Sequence, residues 1–206
     1  MKYRTERHSQ SIGKEVEGMD TLIDISQIMI HTDRLTLRPI VPDDLADFYA
    51  YASVPGVGEM AGWKHHESLE ESKAIIESII QGGEVLAIVH QADQRMIGTI
   101  GLHPVGEKEA ERFPQYRMRE IGYVLSKAYW GQGLMTEAVR AVIAYCFDTL
   151  ELDALICCHF AENSQSRRVI EKCGFRFLYQ AKFVSERLQK TFDDMRYILL
   201  RDPGNQ

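Results

Sequence analysis

Hydrophobic and polar residues follow two different periods along the chain, and the switches between them predict its elements. Leu35 and Leu37 alternate with polar residues, which is typical of a half-buried strand. Ser68 with Glu71 matches a capping box, and isoleucines at helical spacing predict a helix that the glycine pair 82–83 ends. The pattern up to residue 126 predicts a strand near 35–38, helices at 43–53 and 69–81, strands at 84–90 and 96–104, a charged loop at 105–119 and a strand at 120–126.

The second half of the chain continues this mixture. A helix is predicted over 133–149, and the nearly continuous apolar run 153–160 predicts a strand buried on both faces. A helix capped by Asn163 and closed by Gly174 follows. Two strands, 175–184 and 191–201, complete the pattern. The fold class is therefore α+β, with a mixed, mostly antiparallel central sheet, helices on both faces and one parallel crossover through helix 133–149.

Length and composition limit the kind of protein. A chain of 206 residues suits one domain, which we place at 29–206, after an N-terminal extension (1–28) that is polar and weakly patterned. A net charge of −6 argues against nucleic acid as a partner. No apolar run approaches the ~18 residues of a membrane span, and we expect a soluble, cytoplasmic protein. The four cysteines show no CxxC pair and are expected to be reduced, mostly buried thiols.

The stretch YWGQGLMTEA (129–138) places two glycines where a helix begins. Free backbone N–H groups at a helix start attract anions, and glycines let a phosphate approach closely. A P-loop is excluded because its Gly-Lys-Ser/Thr ending is absent, and a dinucleotide fingerprint is excluded because Thr136 replaces its third glycine. An anion site and a plain turn both remain. Basic residues gathered between 161 and 190 fit a small anionic ligand, or equally a solvated helix and hairpin.

Two motifs in order carry a family resemblance. EIGYVLSKAYWGQGLMTEA (120–138) followed by NSQSRRVIEKCGF (163–175) resembles the GNAT superfamily of acetyl-CoA-dependent N-acetyltransferases. Within it, the sequence is most similar to the branch that includes the ribosomal-protein N-terminal (alanine/serine) acetyltransferases. The resemblance spans about residues 30–201 and implies acetyl-CoA as cosubstrate, no metal, and a splayed parallel pair formed by strands 120–126 and 153–160.

The resemblance also implies which residues hold coenzyme A. Trp130 takes the place of a Gln or Arg but carries no charge, and Met135 is bulkier than the small residue expected there, which would narrow the pocket. Asn163 would bind the pantetheine amide, and one or two of Arg167, Arg168 and Lys172 would reach the 3′-phosphate and adenine side. The backbone residues implied are Gly131, Gln132, Gly133, Leu134, Met135 and Thr136 for the diphosphate, and Tyr123, Val124 and Leu125 for pantetheine and the thioester carbonyl.

Acetyl transfer needs a neutral amine and a proton for the departing thiolate. An α-amine with a pKa of ~8 is roughly a tenth neutral at pH 7, whereas a lysine at ~10.4 is neutral in about 1 of 2,500 molecules, which favours a protein N-terminus as acceptor. Glu120 is the candidate general base, through a water, or is merely solvated. Ser166 is the candidate proton donor, or belongs to the helix cap.

The acceptor side is expected between the loop 59–68 and the C-terminal hairpin. Trp63 would form the floor of a substrate pocket there, or belongs to the core. His65 and His66 lack a third metal ligand, and His103 and His159 are expected on strands as core or cleft histidines.

The predicted function is acetyl transfer to a primary amine by direct attack in a ternary complex, in a monomer or homodimer. A small-molecule acceptor (a polyamine, antibiotic or amino acid) and a non-catalytic acyl-CoA-binding module remain as alternatives.

Overall fold

The computed structural model describes residues 23–202 and arranges them around one sheet. Its order is β1-β2-β3-β4-β5-β6-β8-β7, and all neighbours are antiparallel except the parallel pair β5–β6. The elements are β1 (Ile30–His31), β2 (Leu35–Pro39), α1 (Leu45–Ala52), α2 (Leu69–Gly82), β3 (Val85–His90), β4 (Arg95–His103), α3 (Glu107–Arg112), β5 (Met118–Leu125), α4 (Leu134–Asp148), β6 (Ala154–Phe160), α5 (Ser164–Lys172), β7 (Arg176–Ser185) and β8 (Lys190–Leu200). The predicted fold class is confirmed.

Local signals explain most of the helix ends. Ser68 Oγ accepts a hydrogen bond from the Glu71 amide at 3.1 Å, and Gly83 ends α2 in the left-handed region with a φ of 66°. The capping box is only half formed, because the Glu71 carboxylate accepts from the Glu67 amide instead of the Ser68 amide. Asn163 caps α5 as predicted, and Gly174, with a φ of 87°, follows its end.

One helix was missed by the sequence pattern. Residues 105–119 were predicted to be a charged loop, but α3 forms within them and β5 begins at Met118, two residues earlier than expected. The six residues of α3 are too short and too charged to show an apolar period. Helix α3 is held against the sheet by the buried side chain of Glu109, whose carboxylate pairs with Arg196 of β8 at 3.0 Å.

The sheet has two differently covered faces. On the α4 face, Ile121 and Leu125 of β5 pack with Leu134 and Val142 of α4. On the opposite face, which we call the α2 face, Val124 packs against the cluster that contains Ile76 of α2. Further along β5 on this second face, Met118 lies in a separate cluster with Phe113 beside α3. The α2 face is thus covered at both ends of β5 by different elements.

Packing against the core begins before residue 29, the predicted start of the domain. Ile25 is buried in the main core, and its amide donates to the Gly83 carbonyl at 2.8 Å. The predicted extension 1–28 falls largely on residues 1–22, which lie outside the described residues. Within residues 23–202, no helix is both long and apolar enough to cross a membrane.

Candidate functional site

A cavity opens where two strands of the sheet part. The parallel ladder between β5 and β6 ends at the pair Ile121 and Cys157, although both strands continue beyond it. The cavity in this gap reaches both faces of the sheet, because residues of α4 and α5 line one side and the loop before α2 lines the other. Its lining includes Val57, Met60, Ala61, Tyr123, Val124, Leu125, Trp130, Gly131, Gly133, Leu134, Met135, Thr136, Asn163, Gln165, Ser166, Arg168, Val169 and Lys172.

Some backbone N–H and C=O groups of β5 point toward β4, and others point into the gap. The Val124 carbonyl is turned toward Gly98 of β4, since a Cβ built on Gly98 would lie 2.2 Å from that oxygen. Backbone groups of successive strand residues point to opposite edges, so those of Tyr123 and Leu125 face the gap. The Leu125 carbonyl already accepts from the Trp130 indole at 2.8 Å. Within residues 23–202, the Tyr123 amide and carbonyl and the Leu125 amide are therefore open to a ligand.

The glycine turn presents its backbone to the same cavity. Gly131 and Gly133 have φ values of 77° and 79°, which favour glycine. A Cβ on Gly131 would meet nothing within 4 Å, so packing does not explain this glycine. Helix α4 begins at Leu134 without a side-chain cap, which leaves the amides of its first turn without intrahelical partners. An anion approaching this turn would meet these amides and the positive end of the helix dipole.

An ion pair that the sequence pattern did not reveal holds the turn in place. Arg34 donates to the Gln132 carbonyl at 3.0 Å and pairs with Glu137 at 2.6 Å. Glu137 also accepts from the Thr32 hydroxyl at 2.6 Å. Partial burial raises the pKa of Glu137, but these hydrogen bonds outweigh burial and lower the pKa below its ordinary value. The Glu137 carboxylate thereby joins the segment just before β2 to the glycine turn.

Trp130 and Met135, the two departures from the family pattern, both take structural positions. The Trp130 indole joins the end of β5 to the turn through its bond to Leu125, and the Lys127 ammonium lies 5.7 Å from its ring centroid. Met135 lines the cavity, but its side chain is buried in the main core. Its bulk is thus accommodated by the core beneath the turn.

Ser166 and Tyr123 meet at the wall of the cavity. Their hydroxyl oxygens are 2.9 Å apart, and the Ser166 amide donates to Asn163 Oδ1 at 3.0 Å. The Ser166 hydroxyl is therefore not consumed by the helix cap. Burial raises the pKa of Tyr123 well above its ordinary value of 10.0, so its phenol keeps its proton at neutral pH.

Helical spacing on α5 separates its basic residues. Arg168 and Lys172 are four residues apart and both line the cavity. Arg167 points elsewhere and pairs with Glu171 at 2.7 Å, outside the cavity. Of the two adjacent arginines, the structure thus brings Arg168 to the cavity and turns Arg167 away from it.

Glu120, the predicted base, lies on the α2 face in a cluster of charges that we call the Arg196 cluster. Its Oε2 is 2.9 Å from Arg196 Nη2, and its Oε1 is 3.4 Å from Nη1 and 3.3 Å from Cys158 Sγ. Arg196 also pairs with Glu109 and Asp194. Both carboxylate oxygens of Glu120 are thus engaged, and the residue does not line the cavity.

Trp63 lies away from the cavity. Its ring packs against Gly58 so closely that a Cβ there would lie 2.2 Å from it, and its centroid is 5.1 Å from that of His66. The neighbouring loop supplies Val57, Met60 and Ala61 to the cavity wall instead. These three residues carry no chemical signature, which is why the sequence pattern did not indicate them.

Comparisons with known proteins agree with this geometry. A family model described as an acetyltransferase (GNAT) domain matches residues 34–176. The chain belongs to the GNAT acetyltransferase family. The uncharacterized N-acetyltransferase YoaA of Bacillus subtilis (strain 168) is 29% identical over 153 residues, which cover 72% of this chain and 82% of YoaA.

Solved structures share the fold. A GNAT-family acetyltransferase from Bacillus anthracis superposes with a TM-score of 0.72 at 22% identity and covers 84% of this chain and 98% of its own. The ribosomal-protein-S5-alanine acetyltransferase of Vibrio fischeri gives a TM-score of 0.66 at 19% identity, with 87% of this chain and 100% of its own covered. The splayed strand pair and glycine turn therefore lie in the architecture of this family.

The cysteines are buried or partly buried thiols. All four cysteines are free thiols, and burial raises the pKa of Cys146 to about 12 and that of Cys173 to about 11. Across residues 23–202, no group of three or more His, Cys, Asp or Glu side chains is arranged to hold a metal ion.

Proposed function

We propose that the protein transfers the acetyl group of acetyl-CoA to a primary amine by direct attack in a ternary complex. The main support for this proposal is that β5 and β6 separate next to a glycine turn with free backbone amides. An amide-containing pantetheine arm suits the open edge of β5, and a diphosphate suits the turn. The fit is supported by Gly131, whose missing side chain leaves open space in front of the turn.

In this proposal, different residues along the cavity bind different parts of acetyl-CoA. The amides of residues 131–136 bind the diphosphate, while Arg168 and Lys172 on α5 stand near its nucleotide end. Asn163 and the free backbone groups of Tyr123 and Leu125 orient the pantetheine arm. The Leu125 amide, which has no partner on β4, stabilises the charge that develops on the thioester oxygen.

Ser166 supplies the proton for the departing thiolate. Because Tyr123 keeps its proton, its phenol can donate to Ser166 Oγ across 2.9 Å. The Ser166 hydrogen is then directed away from Tyr123 and into the cavity. Tyr123 acts in this arrangement by orienting Ser166.

Direct attack is favoured over a cysteine-linked intermediate by the positions of the thiols. Neither Cys157 nor Cys158 lines the cavity, and burial raises the pKa of both thiols far above the ordinary value of 9.0. A thiolate is the nucleophilic form of cysteine, and burial disfavours it here.

The acceptor proposed is the N-terminal α-amine of a protein. Such an amine is neutral often enough near pH 7 to need only modest base assistance. The Vibrio fischeri protein with the same fold is named for a ribosomal protein, and ribosomal proteins are cationic partners that suit a chain of net charge −6. A polyamine fits the same charge and is the second candidate. Glu120 is one candidate for the proton acceptor on the amine side.

Release of free thiol from acetyl-CoA tests the proposal. The full chain is assayed with peptides bearing free α-amines, the same peptides acetylated at the α-amine but retaining lysine, and spermidine. We expect turnover with the free α-amines. Ser166→Ala should lower kcat and leave acetyl-CoA affinity unchanged, whereas Gln94→Ala, on a distant turn, should match the parent. Binding of acetyl-CoA without turnover of any amine would instead support a non-catalytic acyl-CoA-binding module.

A further inference from the structure

A histidine on the α2 face lies beside the point where β5 leaves β6. His103 is the last residue of β4 and stands directly opposite Glu120 of β5. Opposed residues of an antiparallel pair project to the same face, so His103 shares the α2 face with Glu120, Gly122 and Val124. Along β5, Glu120 and Gly122 fall between the apolar cluster around Val124 and the one around Met118. This stretch of the α2 face therefore belongs to neither apolar cluster.

Two opposed glycines leave space for the His103 imidazole on the α2 face. Gly101 and Gly122 face each other across β4 and β5. A Cβ on Gly101 would lie 2.7 Å from His103 Nε2, and one on Gly122 would lie 3.2 Å from it. Gly122 is the first residue of β5 beyond the last β5–β6 pair. His103 Nε2 therefore lies over these two glycines, beside the part of β5 that leaves β6, on the face opposite α4 and α5.

The surroundings of the ring suit a proton acceptor. His103 Nδ1 lies 3.6 Å from Glu84 Oε2, and the side chain is 42% exposed. A carboxylate beside Nδ1 favours the tautomer with its proton on Nδ1, which leaves the Nε2 lone pair available. Within the described part of the chain, Nε2 has no hydrogen-bond partner. Glu120, which stands opposite His103 on β5, is paired with Arg196 of β8.

We propose that His103 Nε2 is the base that removes the proton from the acceptor's ammonium group. The inference rests on the proposed function and names a base other than Glu120, whose two oxygens are held by Arg196 and Cys158. Imidazole accepts protons near neutral pH, where an α-amine must lose one.

In the proposed reaction, His103 and Ser166 each carry one proton of the attacking amine. One proton passes from the ammonium to Nε2, and the neutral amine attacks the thioester carbon. The C–N bond forms, the C–S bond breaks, and the second amine proton reaches the departing thiolate through Ser166. The imidazolium then returns its proton to water.

The pH dependence of turnover is the first test. We expect His103→Gln to lower kcat/KM for a free α-amine peptide about 100-fold at pH 7. The defect should shrink to less than about 10-fold at pH 9.5, because the amine is then neutral without assistance. Acetyl-CoA affinity, measured by calorimetry, should not change. His31→Gln, on the exposed β1 strand, is the matched control and should behave as the parent.

Glu84→Gln and Glu120→Gln separate the two candidate bases. Loss of the orienting carboxylate in Glu84→Gln should reproduce a smaller, pH-dependent defect, whereas Glu120→Gln should lower the rate equally at pH 7 and 9.5. A pH-dependent defect in Glu120→Gln with a normal profile in His103→Gln would overturn the inference.

A binding readout on the unaltered enzyme keeps the test independent of turnover. With CoA present, addition of the amine peptide should shift the His103 C2–H proton resonance and leave that of His31 in place. A His103 resonance that the peptide does not move would also overturn the inference. If the parent enzyme acetylates no amine, the proposed function fails, and this shift still reports whether an amine meets His103.

Discussion

Replacement of Arg196 by methionine should destabilise the fold strongly at neutral pH. The Arg196 side chain is 12% exposed and contacts Glu109 at 3.0 Å, Glu120 at 2.9 Å and Asp194 at 3.2 Å. Glu109 and Asp194 are buried, and Asp194 Oδ1 has no hydrogen-bond partner in the described structure. Removing one partner of a buried ion pair costs about 3–5 kcal/mol, because the remaining charge stays desolvated. We expect a loss of that size in the free energy of unfolding at pH 7.

The pH dependence of this loss follows from the carboxyl groups. Burial raises the pKa of Glu109, but hydrogen bonds from Arg196 and Tyr179 outweigh it and hold the pKa below its ordinary value of 4.5. The stability contributed by Glu109 in the parent is therefore present above that value and is lost as pH falls through the folded-state pKa. Burial raises the pKa of Asp194, so its contribution has the opposite sign. Without Arg196 both groups take up protons more readily, and the difference between variant and parent should shrink between pH 7 and pH 5.

Urea unfolding followed by circular dichroism at pH 7 and pH 5 measures both effects. Lys64→Met is the matched control, because Lys64 pairs with Glu67 at 2.6 Å in an exposed position. Water and salt screen exposed ion pairs, so this variant should leave the free energy of unfolding nearly unchanged. Equal small losses in Lys64→Met and Arg196→Met would refute the buried character of the Arg196 cluster.

Three further changes probe the cavity. Gly131→Ala should cost about 1–2 kcal/mol in urea unfolding, since its φ of 77° strains an L-residue, and should also weaken acetyl-CoA binding in calorimetry. Asn163→Ala removes the cap of α5 and should cost about 0.5–2 kcal/mol, while Asn163→Asp should retain most of that stability. Lys172→Met should weaken binding of CoA more than binding of dephospho-CoA; an equal effect on both ligands would place Lys172 away from the 3′-phosphate.

The fold was predictable because its elements carry local signals. The caps of Ser68 and Asn163, the glycines at 83 and 174, and the apolar run in β6 all lie where the structure uses them. Helix α3 was not predictable, because contacts of Glu109 with the distant residues Arg196 and Tyr179 hold it in place. Pairing of charges across 87 residues leaves no periodic trace in the sequence.

The candidate site was predictable in its backbone and less so in its side chains. The glycine turn was indicated by its spacing and the strand before it by the family resemblance, and both line one cavity. Which of Arg167 and Arg168 faces that cavity depends on the rotation of α5 about its axis. The structure shows that rotation, because Arg167 pairs with Glu171 outside the cavity. The position of His103 depends on two glycines that oppose each other only after β4 and β5 pair. Such a juxtaposition arises in the tertiary structure alone.

A crystal structure of the protein with acetyl-CoA tests the central claim most directly. The diphosphate oxygens should lie within hydrogen-bond distance of the amides between Gly131 and Thr136. The pantetheine arm should run between β5 and β6 along Tyr123 and Leu125. Acetyl-CoA bound elsewhere, with the glycine turn making no contact to phosphate, would contradict the account.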